Sequence, residues 1–169
     1  NTSLWNDNKY PFTNHFQKGF RNDKGCIAIF SNSNCTEFYK TDLYYKLENT
    51  IKYIVNYIFG ENSIDNIARL QFALLQKGDI VKPHIDKNLW SDIYSRIHVS
   101  IYTNNKVKYL FKNKEKQIKE GEIIEFNNKT LHSVVNKGDT DRINIIIDYS
   151  KEKIPSYIDI HDDCSIKYT

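Results

Sequence analysis

Three residues, His84, Asp86 and His132, have the types and the spacing to bind one metal ion. His84 and Asp86 are two positions apart, and side chains at that interval on a strand point to the same side. They would present an imidazole and a carboxylate together, and His132 on a facing strand would complete a three-ligand face. Because two histidines and one carboxylate leave three coordination positions open, the set suits non-haem iron(II). We therefore predict an iron site on these residues.

An arginine follows this set, since Arg142 lies ten residues after His132 with one turn between them. On two strands joined by that turn, both side chains can face the same interior. The guanidinium would offer a planar pair of donors to a carboxylate. A co-substrate such as 2-oxoglutarate has this need, because its keto acid end can chelate iron while its far carboxylate requires a cation.

Each of these residues also has a simpler structural interpretation. An isolated H-x-D motif is more often exposed on a loop, and His132 alone would fit a half-buried histidine. Arg142 could form a surface salt bridge with Asp139, Asp141 or Asp148. The ordered set favours the metal site, because the H-x-D motif at a strand end is followed by a histidine after a G-E-x-x-x-F strand and by an arginine ten residues further on.

The elements that must position these residues are mostly short strands. Alternating or apolar runs predict strands at residues 26–30, 68–76, 80–86, 96–103, 107–111, 115–118, 122–126, 132–136 and 142–148. One helix lies near the start: Thr41 or Asp42 can cap it, apolar residues recur at helical spacing from Leu43 to Ile58, and Gly60 ends it. Many strands after one helical region predict a mainly β barrel or two-sheet sandwich with flanking helices.

No internal repeat or linker divides the sequence, so we predict one domain over residues 1–169. Residues 1–66 would support it with a strand and a helix, and residues 67–149 would form the core that carries the site. Residues 150–169 would be a polar tail that crosses the barrel mouth or frays.

Composition argues against several other classes of protein. The net charge is +3, from 24 Lys and Arg against 21 Asp and Glu, and the lysines are scattered, so we expect no nucleic-acid partner. Apolar runs stay well short of the roughly 18 to 20 residues that span a bilayer, so we expect no membrane segment. The densest lysine cluster, at residues 106–119, alternates with apolar residues as a solvent-exposed hairpin does.

The cysteines bear on the compartment. Cys26, Cys35 and Cys164 lack CxxC spacing, which argues against a structural zinc site. We expect free thiols, with a Cys26–Cys35 bridge only in an oxidising compartment. Since no signal-peptide pattern is present, the cytoplasm is the default expectation, although a targeting segment could have been removed from a chain without an initiator methionine.

Five short segments around the predicted site stand out together: residues 96–101 (RIHVSI), 103–104 (TN), 121–122 (GE), 132–136 (HSVVN) and 138–143 (GDTDRI). They closely resemble the aspartyl/asparaginyl β-hydroxylase family, which has bacterial L-proline cis-hydroxylases among its relatives. The resemblance covers about residues 67–149 and implies a double-stranded β-helix (jelly-roll, cupin-like) fold. It also implies C–H hydroxylation with iron(II), 2-oxoglutarate and dioxygen, with ascorbate as a supporting reductant in vitro.

The resemblance implies roles for individual residues. His84 and His132 match the two iron histidines, and Arg142 matches the residue that pairs with the distal carboxylate of 2-oxoglutarate. Arg96 and His98 match an R-x-H pair that lines the co-substrate pocket. From the residues themselves, His98 could equally hydrogen-bond a neighbour, and Arg96 could instead meet a substrate carboxylate.

Asp86 distinguishes this sequence from part of the family. Animal protein β-hydroxylases look like two-histidine sites without a carboxylate ligand, whereas the intact H-x-D here is similar to the proline hydroxylases. Further candidates for substrate contact are Trp90, Asn88 and Tyr94 in the loop after H-x-D, and Arg69 and Gln71 on a strand. Packing of the loop and the strand is the simpler explanation for each of them.

The functional prediction is a hydroxylase that β-hydroxylates Asp/Asn-type side chains in a peptide or protein. A free amino acid such as proline is the alternative substrate, which the short chain and the H-x-D motif favour. A non-catalytic, cupin-like module that only holds a metal or ligand is the alternative from another class. The presence of all three ligands and Arg142 argues against that module.

Overall fold

The computed structural model describes residues 24–112 and 114–160. The strands are β1 (Lys24–Ser31), β2 (Phe38–Thr41), β3 (Ile67–Leu75), β4 (Ile80–His84), β5 (Ser95–Tyr102), β6 (Val107–Phe111), β7 (Lys114–Lys116), β8 (Ile123–Glu125), β9 (His132–Asn136), β10 (Arg142–Tyr149) and β11 (Ile158–Ile160). The helices are α1 (Asp42–Lys46), α2 (Glu48–Phe59) and α3 (Leu89–Ile93), with a 3-10 helix at Ser63–Asn66. The predicted support at residues 1–23, residue 113 of the predicted hairpin, the tail end at 161–169 and Cys164 lie outside the described residues.

The strands form two sheets, and the chain alternates between them. The larger sheet has the order β11-β2-β1-β3-β10-β5-β8, and the smaller sheet has the order β4-β9-β6-β7. From β3 to β10 the chain passes back and forth, because β3, β5, β8 and β10 belong to the larger sheet while β4, β6, β7 and β9 belong to the smaller one. This is a jelly-roll arrangement, and it confirms the predicted mainly β fold of the double-stranded β-helix type.

Alternating residues on β10 give the larger sheet one apolar face and one polar face. Ile145 and Ile147 pack in the main hydrophobic core together with residues of α1 and α2. Arg142, Asn144 and Asp148 alternate with them and are equally buried. Two of these polar residues hydrogen-bond a side chain of β6 in the smaller sheet. The helices therefore cover one face of the larger sheet, and polar side chains collect between the two sheets.

The predicted single helix is two helices in the structure. Leu47 separates α1 from α2 at φ −118° and packs against the main core. Thr41, one of the two predicted caps, is the N-cap residue of α1, and Asp42 is the first helical residue. The Thr41 side chain makes no capping hydrogen bond, because its hydroxyl donates to the Ile27 carbonyl at 2.8 Å. The predicted end at Gly60 is confirmed, and its φ of 96° is one that glycine adopts without strain. In the part of the chain that the structure describes, no helix is long and apolar enough to cross a membrane.

Part of the predicted polar tail is a strand. β11 pairs in parallel with β2 and lies at the end of the larger sheet. Ile160 packs against Ile27 in a small apolar cluster, and the nearby Tyr157 hydroxyl donates to the Ile67 carbonyl at 2.9 Å. The prediction that the tail crosses the barrel mouth or frays is therefore wrong for residues 158–160, because apolar contacts and sheet hydrogen bonds hold them on the larger sheet.

The two cysteines that the structure describes differ in burial and are not bonded to each other. Cys26 is buried on β1 in the main core. Cys35 is half-buried in the turn that follows, at a positive φ of 56°. The Cys26–Cys35 bridge that an oxidising compartment would allow is not formed in this structure.

A buried asparagine holds the turn between β9 and β10. The Asn136 amide nitrogen donates to the carbonyls of Thr140 at 2.9 Å and Leu75 at 3.3 Å. Its oxygen accepts from the Gly138 N–H and from the Asn104 amide, each at 3.1 Å. Gly138 is required here because an added Cβ would lie only 2.1 Å from the Asn104 side-chain oxygen. This network holds the turn in one conformation and thereby fixes the position of the start of β10 relative to the end of β9.

Substitution of this asparagine should destabilise the fold. Asn136→Ala is expected to lower the free energy of unfolding by about 2–4 kcal/mol, because its partners lose hydrogen bonds in a place without solvent. Denaturant unfolding followed by circular dichroism measures the effect. Asn127→Ala is the control, since this asparagine is exposed and its change should stay within about 0.5 kcal/mol. Equal stabilities of the two variants would contradict the role assigned to the turn.

Candidate metal centre

The three predicted ligands converge at one point. The ligand atoms of His84, Asp86 and His132 all lie within 4.8 Å of one another. The two imidazole centroids are 4.2 Å apart, and Nε2 of His84 is 3.5 Å from Oδ1 of Asp86. The structure therefore brings together the set that the spacing predicts, and the set could hold a metal ion.

Strand pairing and one backbone hydrogen bond produce this convergence. β4 and β9 are antiparallel neighbours in which His84 lies opposite His132. The register shifts between Val81 and His84, so β4 deviates from regular pairing just before the first ligand. The strand ends at His84 rather than at residue 86, and the Asp86 N–H then donates to the Asn128 carbonyl at 3.0 Å. That bond ties Asp86 to the loop that precedes His132.

Hydrogen bonds determine which nitrogen each histidine presents. Nδ1 of His84 lies 2.7 Å from the Lys82 carbonyl, and Nδ1 of His132 lies 2.7 Å from the Thr130 carbonyl. A carbonyl oxygen only accepts, so Nδ1 is the donor in each of these contacts, and Nε2 is the nitrogen that can face a metal ion. Two imidazole nitrogens and one carboxylate oxygen fit iron(II).

Arg96 joins the metal-ligand aspartate to a second carboxylate. Its Nη1 donates to Oδ2 of Asp86. Its Nε and Nη2 donate to the two oxygens of Asp148 at 2.7 and 2.9 Å. Burial alone would lower the pKa of Arg96, but the carboxylates of Asp148 and Asp86 outweigh it and raise that pKa above its ordinary value. The resemblance implies a co-substrate role for Arg96, whereas the structure places its guanidinium between these two aspartates.

Arg142 lies deeper between the sheets, beside a tyrosine that sequence reasoning missed. Nη2 of Arg142 donates to the Tyr109 hydroxyl, and the guanidinium carbon lies 5.0 Å above the Tyr109 ring. The Asn144 amide donates to the same hydroxyl at 2.7 Å. Since the phenol oxygen accepts two hydrogen bonds here, its own hydrogen is left to be donated elsewhere. Tyr109 is only 1% exposed, although the lysine-rich strand that carries it resembles a solvent-exposed one.

The surface salt bridge that Arg142 could have made is not formed. Asp148 is paired with Arg96, and Oδ1 of Asp141 accepts from the Lys77 N–H at 2.9 Å. Asp139 is exposed and lies near a lysine. With its aspartate candidates engaged elsewhere, Arg142 is a buried cation whose hydrogen-bond partner is a phenol.

His98 lies on β5, two residues after Arg96, and its ring centroid is 6.2 Å from that of Tyr109. It is buried, and its ring stacks on Phe126 with centroids 4.4 Å apart at an interplanar angle of 11°. On β10 its partner is Ile146, between the residues that contact Arg96 and Tyr109. On the other neighbouring strand, Gln71 also lies opposite Ile146.

The candidate substrate residues take different positions. The Arg69 guanidinium lies over the Trp90 ring, 4.3 Å from its centroid, and Trp90 is buried on α3. The Asn88 N–H donates to the Ser91 hydroxyl at 3.2 Å, so Asn88 marks the start of α3. Tyr94 packs against an apolar cluster that contains none of the candidate ligands. Arg69 and Trp90 thus form a contact pair, while Asn88 and Tyr94 have structural contacts of their own.

Comparisons with known proteins bear on the family and on the fold. The family model described as aspartyl/asparaginyl beta-hydroxylase matches residues 40–152. A search of the curated proteins gave no match. An oxidoreductase of the 2OG-Fe(II) oxygenase family from Burkholderia pseudomallei has a similar fold, with a TM-score of 0.57 and 13% identity over 78% of this chain and 69% of that chain. A cupin-like protein from Thermotoga maritima aligns with 80% of this chain and 75% of its own, with a TM-score of 0.45 and 13% identity.

Loss of a ligand should weaken metal binding strongly. His84→Ala and Asp86→Ala are each expected to reduce the affinity for Mn(II) or anaerobic Fe(II) by about 100-fold or more, since changes outside the ligand set already cost about 10–100-fold. Isothermal titration calorimetry measures the affinity. The control is Asp92→Ala, because this exposed carboxylate on α3 pairs with Lys129 on the surface. Variants of His84 and Asp86 that bind metal as tightly as this control would refute the site.

Proposed function

The chain belongs to the aspartyl/asparaginyl β-hydroxylase family, and we propose that it is an iron(II)- and 2-oxoglutarate-dependent hydroxylase whose metal is held by His84, Asp86 and His132. One observation carries this proposal: ligand atoms of two imidazoles and one carboxylate meet within 4.8 Å on a jelly-roll scaffold. Three ligands on one side leave coordination positions for a chelating co-substrate and dioxygen.

The residues around the metal hold the reactants in place. When bound, iron together with 2-oxoglutarate and dioxygen supplies the oxidation in which a substrate C–H becomes C–OH while 2-oxoglutarate becomes succinate and carbon dioxide. The chain itself contributes the ligands, a buried polar space for the co-substrate, and apolar side chains that limit water there. Val81, Val134 and Phe126 belong to the apolar cluster between the sheets.

Arg142 and Tyr109 are the proposed anchors for the distal carboxylate of 2-oxoglutarate. Both are buried, so a charge-assisted hydrogen bond from the guanidinium would form in a medium that strengthens it. The Tyr109 hydroxyl accepts from Arg142 and from Asn144, which leaves its hydrogen available for a carboxylate oxygen. His98 is proposed to line the same pocket through its ring face.

The proposed substrate is an Asp/Asn-type side chain in a peptide or protein. Exposed aliphatic side chains adjoin the ligands, since Ile85 lies between His84 and Asp86, and Leu131 precedes His132. Further such residues are Leu89 and Ile93 on α3, and the exposed fractions of the four lie between 42% and 54%. Apolar residues beside a polar site favour a ligand with flanking side chains.

Arg69 and Trp90 are proposed to contact the substrate, with Asn88 holding the loop that carries Trp90. The guanidinium of Arg69 stacks on the Trp90 ring, and a guanidinium is the side-chain group that binds a carboxylate through paired N–H groups. A free amino acid such as proline is the second candidate substrate, and the complete H-x-D motif is the observation that favours it.

Removal of either proposed anchor should weaken co-substrate binding. Arg142→Lys is expected to raise the 2-oxoglutarate concentration for half-saturation by about 10–100-fold, and Tyr109→Phe by about 10-fold, in line with lost hydrogen bonds to a charged group. Anaerobic titration of the metal-to-ligand absorption band of the Fe(II) protein, with ascorbate present, measures this. Metal affinity should stay unchanged.

The control for these two variants lies on the same strand. Lys108→Ala removes the outward-facing neighbour of Tyr109, which pairs with Glu115, and should leave the titration unaltered. If Arg142→Lys and Tyr109→Phe titrate like Lys108→Ala, the proposed anchors are wrong.

A turnover screen distinguishes the substrate classes. Succinate release and the gain of one oxygen atom are measured with an Asp/Asn peptide library and with free amino acids including proline. We expect turnover of peptides, and Leu89→Ser should raise the peptide KM about 5–10-fold through lost apolar contact. The control is Ile101→Ser near the end of β5, because Ile101 is about as exposed as Leu89. This variant should leave the peptide KM unchanged.

The other outcomes of the screen are equally informative. Turnover of free amino acids alone would overturn the peptide assignment. Binding of metal and 2-oxoglutarate without turnover of any member of either set would favour the non-catalytic, cupin-like module.

A further inference from the structure

Three charged side chains form a row that ends at the metal ligand. Asp148 lies opposite Arg96 across β10 and β5, and both of its oxygens accept from that arginine. The remaining guanidinium nitrogen, Nη1, donates to Oδ2 of Asp86. The side chains of all three are 10% exposed or less, so this row lies in a medium that strengthens its charge interactions.

The row makes the two oxygens of Asp86 different from each other. Oδ1 is the oxygen on the ligand side, 3.5 Å from Nε2 of His84. Oδ2 accepts from Arg96. A carboxylate can bind a metal through one oxygen or through both, and a bidentate carboxylate would use one more coordination position.

We propose that Arg96 and Asp148 are positioning residues that restrict Asp86 to a single metal-binding oxygen and thereby keep a coordination position open. The inference rests on the metal site of the proposed function but is independent of the substrate. Arg96 holds Oδ2 by a hydrogen bond, and Asp148 holds Arg96 in the orientation that makes this bond. This role differs from the co-substrate contact that the family resemblance implies for Arg96.

The geometry of the guanidinium explains why an arginine suits this task. The group is planar, and its Nε and Nη2 form a fork that matches the two oxygens of Asp148. Once that fork is engaged, the direction of Nη1 is determined, and it points at Asp86. A lysine has one flexible ammonium group, so it could neutralise one carboxylate but would not determine the orientation of the other.

The test counts water molecules on the bound metal. In Mn(II)-loaded protein without co-substrate, wild type should hold about one water more than Arg96→Met, because Asp86 becomes bidentate in the variant. Broadening of the Mn(II) electron paramagnetic resonance lines in oxygen-17-labelled water gives the count. Calorimetry gives the Mn(II) affinity, which should fall by no more than the roughly 10–100-fold typical of a lost partner of a ligand, so the water is counted at saturating Mn(II). Asp148→Asn should also lower the water count, although Asp148 lies at the end of the row that is away from the ligand Asp86.

Two further variants complete the design. Arg96→Met leaves Asp148 buried without its partner, so the double variant Arg96→Met/Asp148→Asn removes both charges and serves where the single variant does not fold. Asp139→Asn is the control, since this aspartate is 94% exposed.

The outcomes separate the two proposals. If wild type binds no Mn(II), the metal site of the proposed function fails, and this inference fails with it. If wild type binds Mn(II) but all variants keep the wild-type water count, only the positioning role is overturned. A loss of 2-oxoglutarate binding in Arg96→Met without any change in water count would show instead that Arg96 contacts the co-substrate directly.

Discussion

The alternation of side chains along β5 and β10 is the constraint on which the rest of the structure depends. Ile145 and Ile147 turn toward the helices and fill the main core, so Asp148 and its neighbours on the other face must turn inward. A shift of one residue in the pairing would exchange the two sets and would place charges in the apolar core. The register is therefore fixed by apolar packing on the helix side, although α1 and α2 supply none of the residues of the metal centre.

Charges collected in an interior are stable only when each has a partner. Asp148 and Asp86 share Arg96, while Arg142 has the Tyr109 hydroxyl and the face of its ring. Arg96 and Asp148 are opposite each other within the larger sheet, whereas Asp86 follows a strand of the smaller sheet and Tyr109 lies on one. The complete set of contacts therefore forms only when both sheets are present. The hydrogen bonds in this polar interior are directional, so each guanidinium has one favoured orientation. Defined orientation is what a metal centre requires of the groups around it.

The H-x-D pair, the turn before Arg142 and the alternation of side chains along the strands could be predicted from the sequence, because each depends on a local interval. His132 is far from the H-x-D pair in the chain, and the order of the motifs together with the family resemblance added it to the set. The role of Arg96 could not be predicted, since its partner Asp148 is 52 residues away and is selected by strand register. Tyr109 was missed because lysines on alternate positions of its strand indicate a solvent-exposed surface and hide the inward residue between them. The break at Leu47 was missed because helical spacing continues across it.

Ligand residues and exposed aliphatic side chains are neighbours in the sequence on both sides of the candidate site. Ile85 lies between His84 and Asp86 and is 42% exposed, although the two flanking side chains converge on His132. Leu131, the residue before β9, is 44% exposed, whereas His132 is buried. The Asp86–Asn128 backbone bond holds these two segments together. Under the proposed function, substitutions at the exposed positions change substrate preference, while the ligand geometry, which depends on backbone pairing, stays the same.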